Sequence, residues 1–65
     1  MECLAKNLLT LRKAKKLSRQ AVADAVCISA KSYERYENDE REPTASVLVA
    51  LADFYGVTLD ELVGR

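Results

Sequence analysis

The segment from Leu17 to Asn38, LSRQAVADAVCISAKSYERYEN, constrains the fold of this chain more than any other part of it. Ser18 and Ser29 each precede a short helical stretch, and serine is among the strongest N-cap residues. Ala21, Val22, Ala25 and Val26 give the first stretch an apolar face. Tyr33 and Tyr36, at i and i+3, do the same for the second, since residues three apart share a helix face. Val26-Cys27-Ile28 is left as the turn between them. Two short helices joined this way, the second opening with polar and basic side chains, are the usual device for laying a helix in the DNA major groove. The functional chemistry is then expected mostly between Ala30 and Asn38.

The rest of the chain supplies helices to support that pair. Leu4, Leu8 and Leu11 fall at i, i+4 and i+7, with Lys6, Arg12, Lys13, Lys15 and Lys16 mostly off the stripe. That is an amphipathic first helix of roughly four turns, with Leu17 closing its apolar side. Ala21 stands three after Ser18, where Glu or Gln would complete a capping box, so the second helix lacks one. NDEREP, residues 38–43, reads as a polar connector. Pro43 does not fit a helix interior, and Asn38 tolerates the left-handed conformation that often ends a helix. Thr44 opens a fourth helix, ASVLVALADFY, closed by Gly56. Thr58 and Glu61 form a capping box for a last short helix. No strand alternation or repeat is visible. The expectation is an all-α, compact five-helix fold in one domain, residues 1–65. The helix-turn-helix spans about 18–38 and the C-terminal helices about 44–63.

Composition narrows the function classes. A chain of 65 residues buries about 60% of its unfolded surface, which leaves it marginal unless well packed or oligomeric. An apolar share of 49% is enough for one core and argues against disorder. No apolar run approaches the roughly 18 residues of a membrane span. Charges flank the apolar positions at the start, so no secretory signal is read and a cytoplasmic protein is expected. Cys3 and Cys27, with no histidine and no CxxC, make neither a disulfide framework nor a metal site. Two reduced, partly buried thiols and no cofactor are expected. The absence of histidine, of a nucleophile elbow and of a phosphate-binding glycine loop argues against an enzyme. Net charge is zero, but residues 1–35 hold eight basic and three acidic residues, net +5, and residues 36–65 hold two basic and seven acidic, net −5. Local field, more than net charge, attracts a polyanion, so one basic face can serve a neutral protein.

Three stretches, LRKAKKLSRQAVA, CISAKSYERYENDEREP and LADFYGVTLDEL, in this order and spacing resemble the lambda-repressor-like helix-turn-helix family of phage repressors and Cro proteins. The resemblance runs from about Leu4 to Val63. It implies a second helix that crosses the DNA backbone and a third that reads bases. By position, Ala30, Lys31, Ser32 and Arg35 are then the base-reading residues. Arg35 is the first choice, because a guanidinium reaches O6 and N7 of guanine together, a contact that discriminates by about 1–3 kcal/mol. Lys31 can read guanine or bind phosphate, and Ser32 can do either weakly. Ala30 offers only a methyl, suited to the thymine methyl, where the family often has a longer polar side chain.

Arg19 stands where family members often place Gln for a phosphate, at a helix N-terminus whose amides favour anions. Asn38, Arg41 and Arg12 are further phosphate candidates. The family also pairs the Arg at this position with the Glu after the aromatic, here Glu37, and that ion pair is the favoured role for Arg12. Tyr33 and Tyr36 are read as core, not as stacking platforms for bases, and Glu34 as exposed. Cys27 and Asp39 stand where glycine is common. If Cys27 needs a positive φ, the cost is roughly 1 kcal/mol.

A second surface is visible in the fourth helix. Leu48, Leu51, Ala52 and Tyr55 would form its core stripe, and Val47, Ala50 and Phe54 a second one. With Leu59, Leu62 and Val63 the second stripe would make an apolar patch, the mark of a partner surface, here a homodimer. The expected function is a sequence-specific double-stranded DNA-binding transcriptional regulator, a repressor that occupies a two-fold symmetric operator. The alternative is a protein-interaction module, an antitoxin or adaptor that binds a protein partner through the C-terminal helices.

Overall fold

Serine or threonine oxygens open four of the helices in the computed structural model, which describes residues 2–65. The helices are α1 (Glu2–Ala14), α2 (Arg19–Ala25), α3 (Ala30–Glu37), α4 (Ala45–Tyr55) and α5 (Leu59–Val63). No strand occurs among the described residues. Ser18 Oγ accepts from the Ala21 amide at 3.0 Å and Ser29 Oγ from the Ser32 amide at 3.1 Å. Thr44 does the same for Val47 at 3.4 Å. Thr58 and Glu61 form the expected reciprocal box, both bonds at 3.0 Å. Each cap satisfies an amide that the helix itself cannot pair.

All five helices end alike. The amide that follows a left-handed residue just past each helix reaches back five positions, as in Leu17 to the Arg12 carbonyl at 3.2 Å and Ile28 to Ala23 at 2.9 Å. Glu40 reaches Arg35, Val57 reaches Ala52 and Arg65 reaches Asp60 at 2.8–3.0 Å. This Schellman closure needs one left-handed residue. Gly56 and Gly64 supply it for α4 and α5, whereas Lys16, Cys27 and Asp39 supply it for α1, α2 and α3, with φ of 56°, 62° and 58°. The left-handed residue after α3 is therefore Asp39 and not Asn38, whose φ is −91°. Leu17, Ile28 and Val57, each next after a left-handed residue, pack on the core. That burial offsets the backbone strain.

Ten buried residues form the core: Leu4 and Leu8 of α1, Val22 and Ala23 of α2, Tyr33 and Tyr36 of α3, Leu51, Ala52 and Tyr55 of α4, and Leu62 of α5. Helix α1 packs on α3 and α5, α2 on α3, and α4 on α5. Three sequence expectations are corrected. Ala21 and Ala25 are exposed, because α2 turns Val22, Ala23 and Val26 inward instead. Cys3 and Cys27 are both exposed free thiols, not partly buried ones. Leu62, assigned to the dimer surface, is fully buried. Beneath it Asn7 Nδ2 donates to the Glu61 and Leu62 carbonyls at 3.2 and 3.0 Å, so a side chain of α1 caps the end of α5.

Candidate nucleic-acid interface

Helix α3 is locked from one side. Tyr33, Tyr36 and Glu37, at i, i+3 and i+4, are its buried residues. The Tyr33 hydroxyl lies 2.7 Å from that of Tyr55 and 3.5 Å from the Leu8 carbonyl oxygen. Burial, reinforced by the Tyr55 hydroxyl, pushes the Tyr33 phenol far above its ordinary range, so it stays protonated. Ala30 shares this inward stripe and packs, half-buried, against the core. Its methyl leans on the core while the residue stays partly exposed at the start of the helix.

The outward face keeps the polar side chains. Lys31 and Arg35 are exposed and lie four apart, on one side of the helix. Ser32 is half-buried, and its Oγ accepts a hydrogen bond from the Ser29 hydroxyl at 3.0 Å. Glu34 is half-buried where full exposure was expected. Asn38 and Arg41, in the connector after α3, are exposed.

One carboxylate organises the inner edge of this surface. Glu37, its side chain 1% exposed, accepts from Arg12 Nε at 2.6 Å and from Arg12 Nη2 at 3.2 Å. Arg12 Nη1 donates to the Leu17 carbonyl at 2.9 Å. Every nitrogen of the Arg12 guanidinium is thus engaged inside the protein. The ion pair favoured for Arg12 is the role it has, and its candidacy as a phosphate ligand is withdrawn. A second guanidinium reaches the same carboxylate: Arg19 Nε donates to Glu37 Oε1 at 3.1 Å. Sequence reasoning assigned Arg19 to phosphate alone and missed this contact, because nothing local links residues 18 positions apart. Burial works to raise the Glu37 pKa, but hydrogen bonds from Arg12, with Tyr33 and Arg19 after it, outweigh burial and hold it below the usual carboxylate value.

On another part of the molecule an open apolar groove of about 470 Å³ runs between the start of α1, α4 and α5. Cys3, Ala45, Leu48, Val49, Leu59 and Val63 line its apolar part, and Asp60 and Arg65 border it. Val49 and Leu59 are the large hydrophobics most exposed, at 45% each. Of the six residues assigned to a dimer surface, Leu59 and Val63 line the groove. Val47 and Phe54 instead lean on the core. Phe54 packs edge-on against Tyr55 with ring centroids 5.1 Å apart. Ala50 is half-buried. The core stripe of α4 is the expected one, with Leu51, Ala52 and Tyr55 buried and Leu48 packed against them, while Val49 and Ala45, in neither expected stripe, lie at the surface.

Among the described residues no helix is long and apolar enough to cross a membrane. A helix-turn-helix family model matches residues 8–62. The chain is 43% identical over 59 residues to the HTH-type transcriptional regulator AnsR of Bacillus subtilis, an alignment covering 91% of this chain and 51% of that one. It is 39% identical over 62 residues to the cryptic phage CTXphi transcriptional repressor RstR of Vibrio cholerae, covering 95% and 55%. A transcriptional regulator from Listeria innocua superposes with a TM-score of 0.90 at 29% identity, over 95% of this chain and 58% of that one. The chain therefore spans about half the length of the curated relatives it matches.

Proposed function

We propose that this chain, which belongs to the lambda-repressor-like helix-turn-helix family, binds double-stranded DNA sequence-specifically and regulates transcription, as a repressor that occupies its operator. The observation that carries the reading is α3 itself. Its inner face is locked by Tyr33, Tyr36 and Glu37, and its outer face presents Lys31 and Arg35 to solvent. Arg35 is assigned to a guanine edge, Lys31 to a guanine or a phosphate, and Ser32 to a weaker contact limited by its bond to Ser29. Arg19, Asn38 and Arg41 are assigned to phosphates, which set the register without carrying sequence information. The protein acts in the cytoplasm, with no cofactor and no catalytic step. The names of the relatives, a phage repressor among them, support this reading over that of an antitoxin or adaptor.

Selection of bound duplexes from a random pool identifies the operator and tests the proposal. The wild-type chain should enrich one sequence and bind it more tightly than a scrambled duplex of equal length. Arg35→Ala should weaken binding to the selected duplex roughly 5- to 150-fold, the loss of one bidentate base contact. It should relax selection at one base pair and change scrambled-duplex binding far less. Equal affinity of the wild type for selected and scrambled duplexes removes the sequence-specific reading.

A further inference from the structure

Two arginines share one buried carboxylate. Glu37 is enclosed, with its side chain 1% exposed, and Arg12 is nearly so at 12%, whereas Arg19 is 45% exposed. The three groups together carry one uncompensated positive charge. Since Arg12 spends all its nitrogens internally, that excess emerges at Arg19. Arg19 is held by Nε alone. No other hydrogen bond among the described residues engages its two Nη groups, and the side chain is 45% exposed. The terminal edge of a guanidinium is the fork geometry that matches a phosphate.

We propose that Glu37 is a positioning residue for DNA binding: from inside the core it grips Arg19 by Nε and leaves the two Nη groups oriented toward a backbone phosphate. The proposal rests on the DNA-binding reading above. A long side chain normally loses rotamer freedom when it binds, and a guanidinium ordered beforehand avoids much of that loss. The same carboxylate holds Arg12, and Arg12 holds the Leu17 carbonyl just before the Ser18 cap. Glu37 therefore orients both the Arg19 side chain and the turn that leads into α2. The acid near the DNA surface acts here by aiming a cation, not by repelling the polyanion.

The sign of one substitution separates these roles. Glu37→Gln removes a negative charge, and on charge alone it should tighten DNA binding. The proposal expects the opposite. Binding of the folded variant to a duplex selected by the wild-type chain should weaken roughly 2- to 10-fold, the range for one side chain that is no longer pre-ordered. The slope of log K against log salt should fall toward that of Arg19→Ala, which loses about 0.9 for one phosphate. In an Arg19→Ala background the same change should have a clearly smaller effect, limited to what Arg12 and the turn into α2 lose. Tighter binding by Glu37→Gln, or equal weakening with and without Arg19, overturns the proposal.

Arg19→Lys provides the arm that does not depend on Glu37 tolerating change, since position 19 is exposed. A lysine keeps the charge but has no forked edge to offer a phosphate while its one nitrogen is held at Glu37, so it should bind DNA more weakly than the wild type. Wild-type affinity and salt slope in Arg19→Lys overturn the proposal even if Glu37→Gln does not fold. Failure of the wild type to bind any duplex removes the functional reading, and this proposal with it. Normal wild-type binding with unaffected Arg19 variants removes the proposal alone.

Discussion

Glu37 joins stability to function at a single residue. A buried carboxylate is tolerated only when its oxygens are paired, and breaking a buried pair by removing one partner costs about 3–5 kcal/mol. Arg12 and Arg19 supply that pairing across three helices. Because the Glu37 pKa in the folded chain lies below its ordinary value of 4.5, the stability it contributes is present above about that pH and is lost as pH falls through the depressed value. Glu61 is depressed in the same direction, chiefly by the Thr58 backbone amide, at a fully exposed site. Urea titrations should therefore give constant unfolding midpoints near neutrality and falling ones below about pH 4.5. Glu37→Gln, where folded, should be less stable at pH 7 and show a flatter acid limb. An unchanged acid limb would mean that other carboxylates dominate. The Arg12 partner of Glu37 was legible from the family pattern. Arg19 was not, because α2 must first dock on α3 before the two residues meet.

At the scale of the element, helix starts were more legible than helix ends. Ser18, Ser29, Thr44 and Thr58 are side chains whose capping chemistry is local, so the sequence displays it. Gly56 likewise marks the end of α4. The ends of α1, α2 and α3 use Lys16, Cys27 and Asp39 in the left-handed region. Their identities do not announce this: the family pattern pointed to Cys27 and Asp39, and nothing pointed to Lys16. Leu17 and Ile28 explain why the turns hold, since burying each favours the closure. Cys27→Gly should relieve strain and stabilise the domain by up to about 1 kcal/mol, partly offset by the freer unfolded chain. Gly56→Ala should destabilise it by about 1 kcal/mol from φ alone, because nothing lies within 4 Å of the added Cβ. For a domain this small, thermal midpoints should move by roughly 4–8 °C per kcal/mol. A fall in midpoint on Cys27→Gly would show that the side chain contributes more than its backbone strain costs.

The described residues form a body of 27 × 22 × 19 Å. A two-fold operator presents two equivalent half-sites roughly 34 Å apart, each read by its own recognition helix, so such an operator takes two copies of this fold. The groove lined by Leu48, Val49, Leu59 and Val63 lies open on each copy. Sedimentation at micromolar concentration should show a dimer, at least on the selected duplex. Leu59→Lys should shift it to monomer and lower operator affinity about tenfold or more through lost bivalency, without unfolding the chain, since Leu59 is half-exposed. A wild type that stays monomeric on DNA would remove the dimer and the symmetric operator together.

What the sequence by itself determined was local: helix number and class, the four capped starts, the inward tyrosines and the outward Lys31 and Arg35. These follow from side chains acting on their own backbone or on neighbours one turn away. Tertiary packing decided the rest. It turned Ala30 and Leu62 inward, brought Val49 rather than Phe54 to the groove, and gathered Arg12, Arg19 and Glu37 into one cluster. Periodicity shows which residues share a helix face. The rotation of a short helix about its axis, and the charges it meets when it docks, depend on partners far away in the chain.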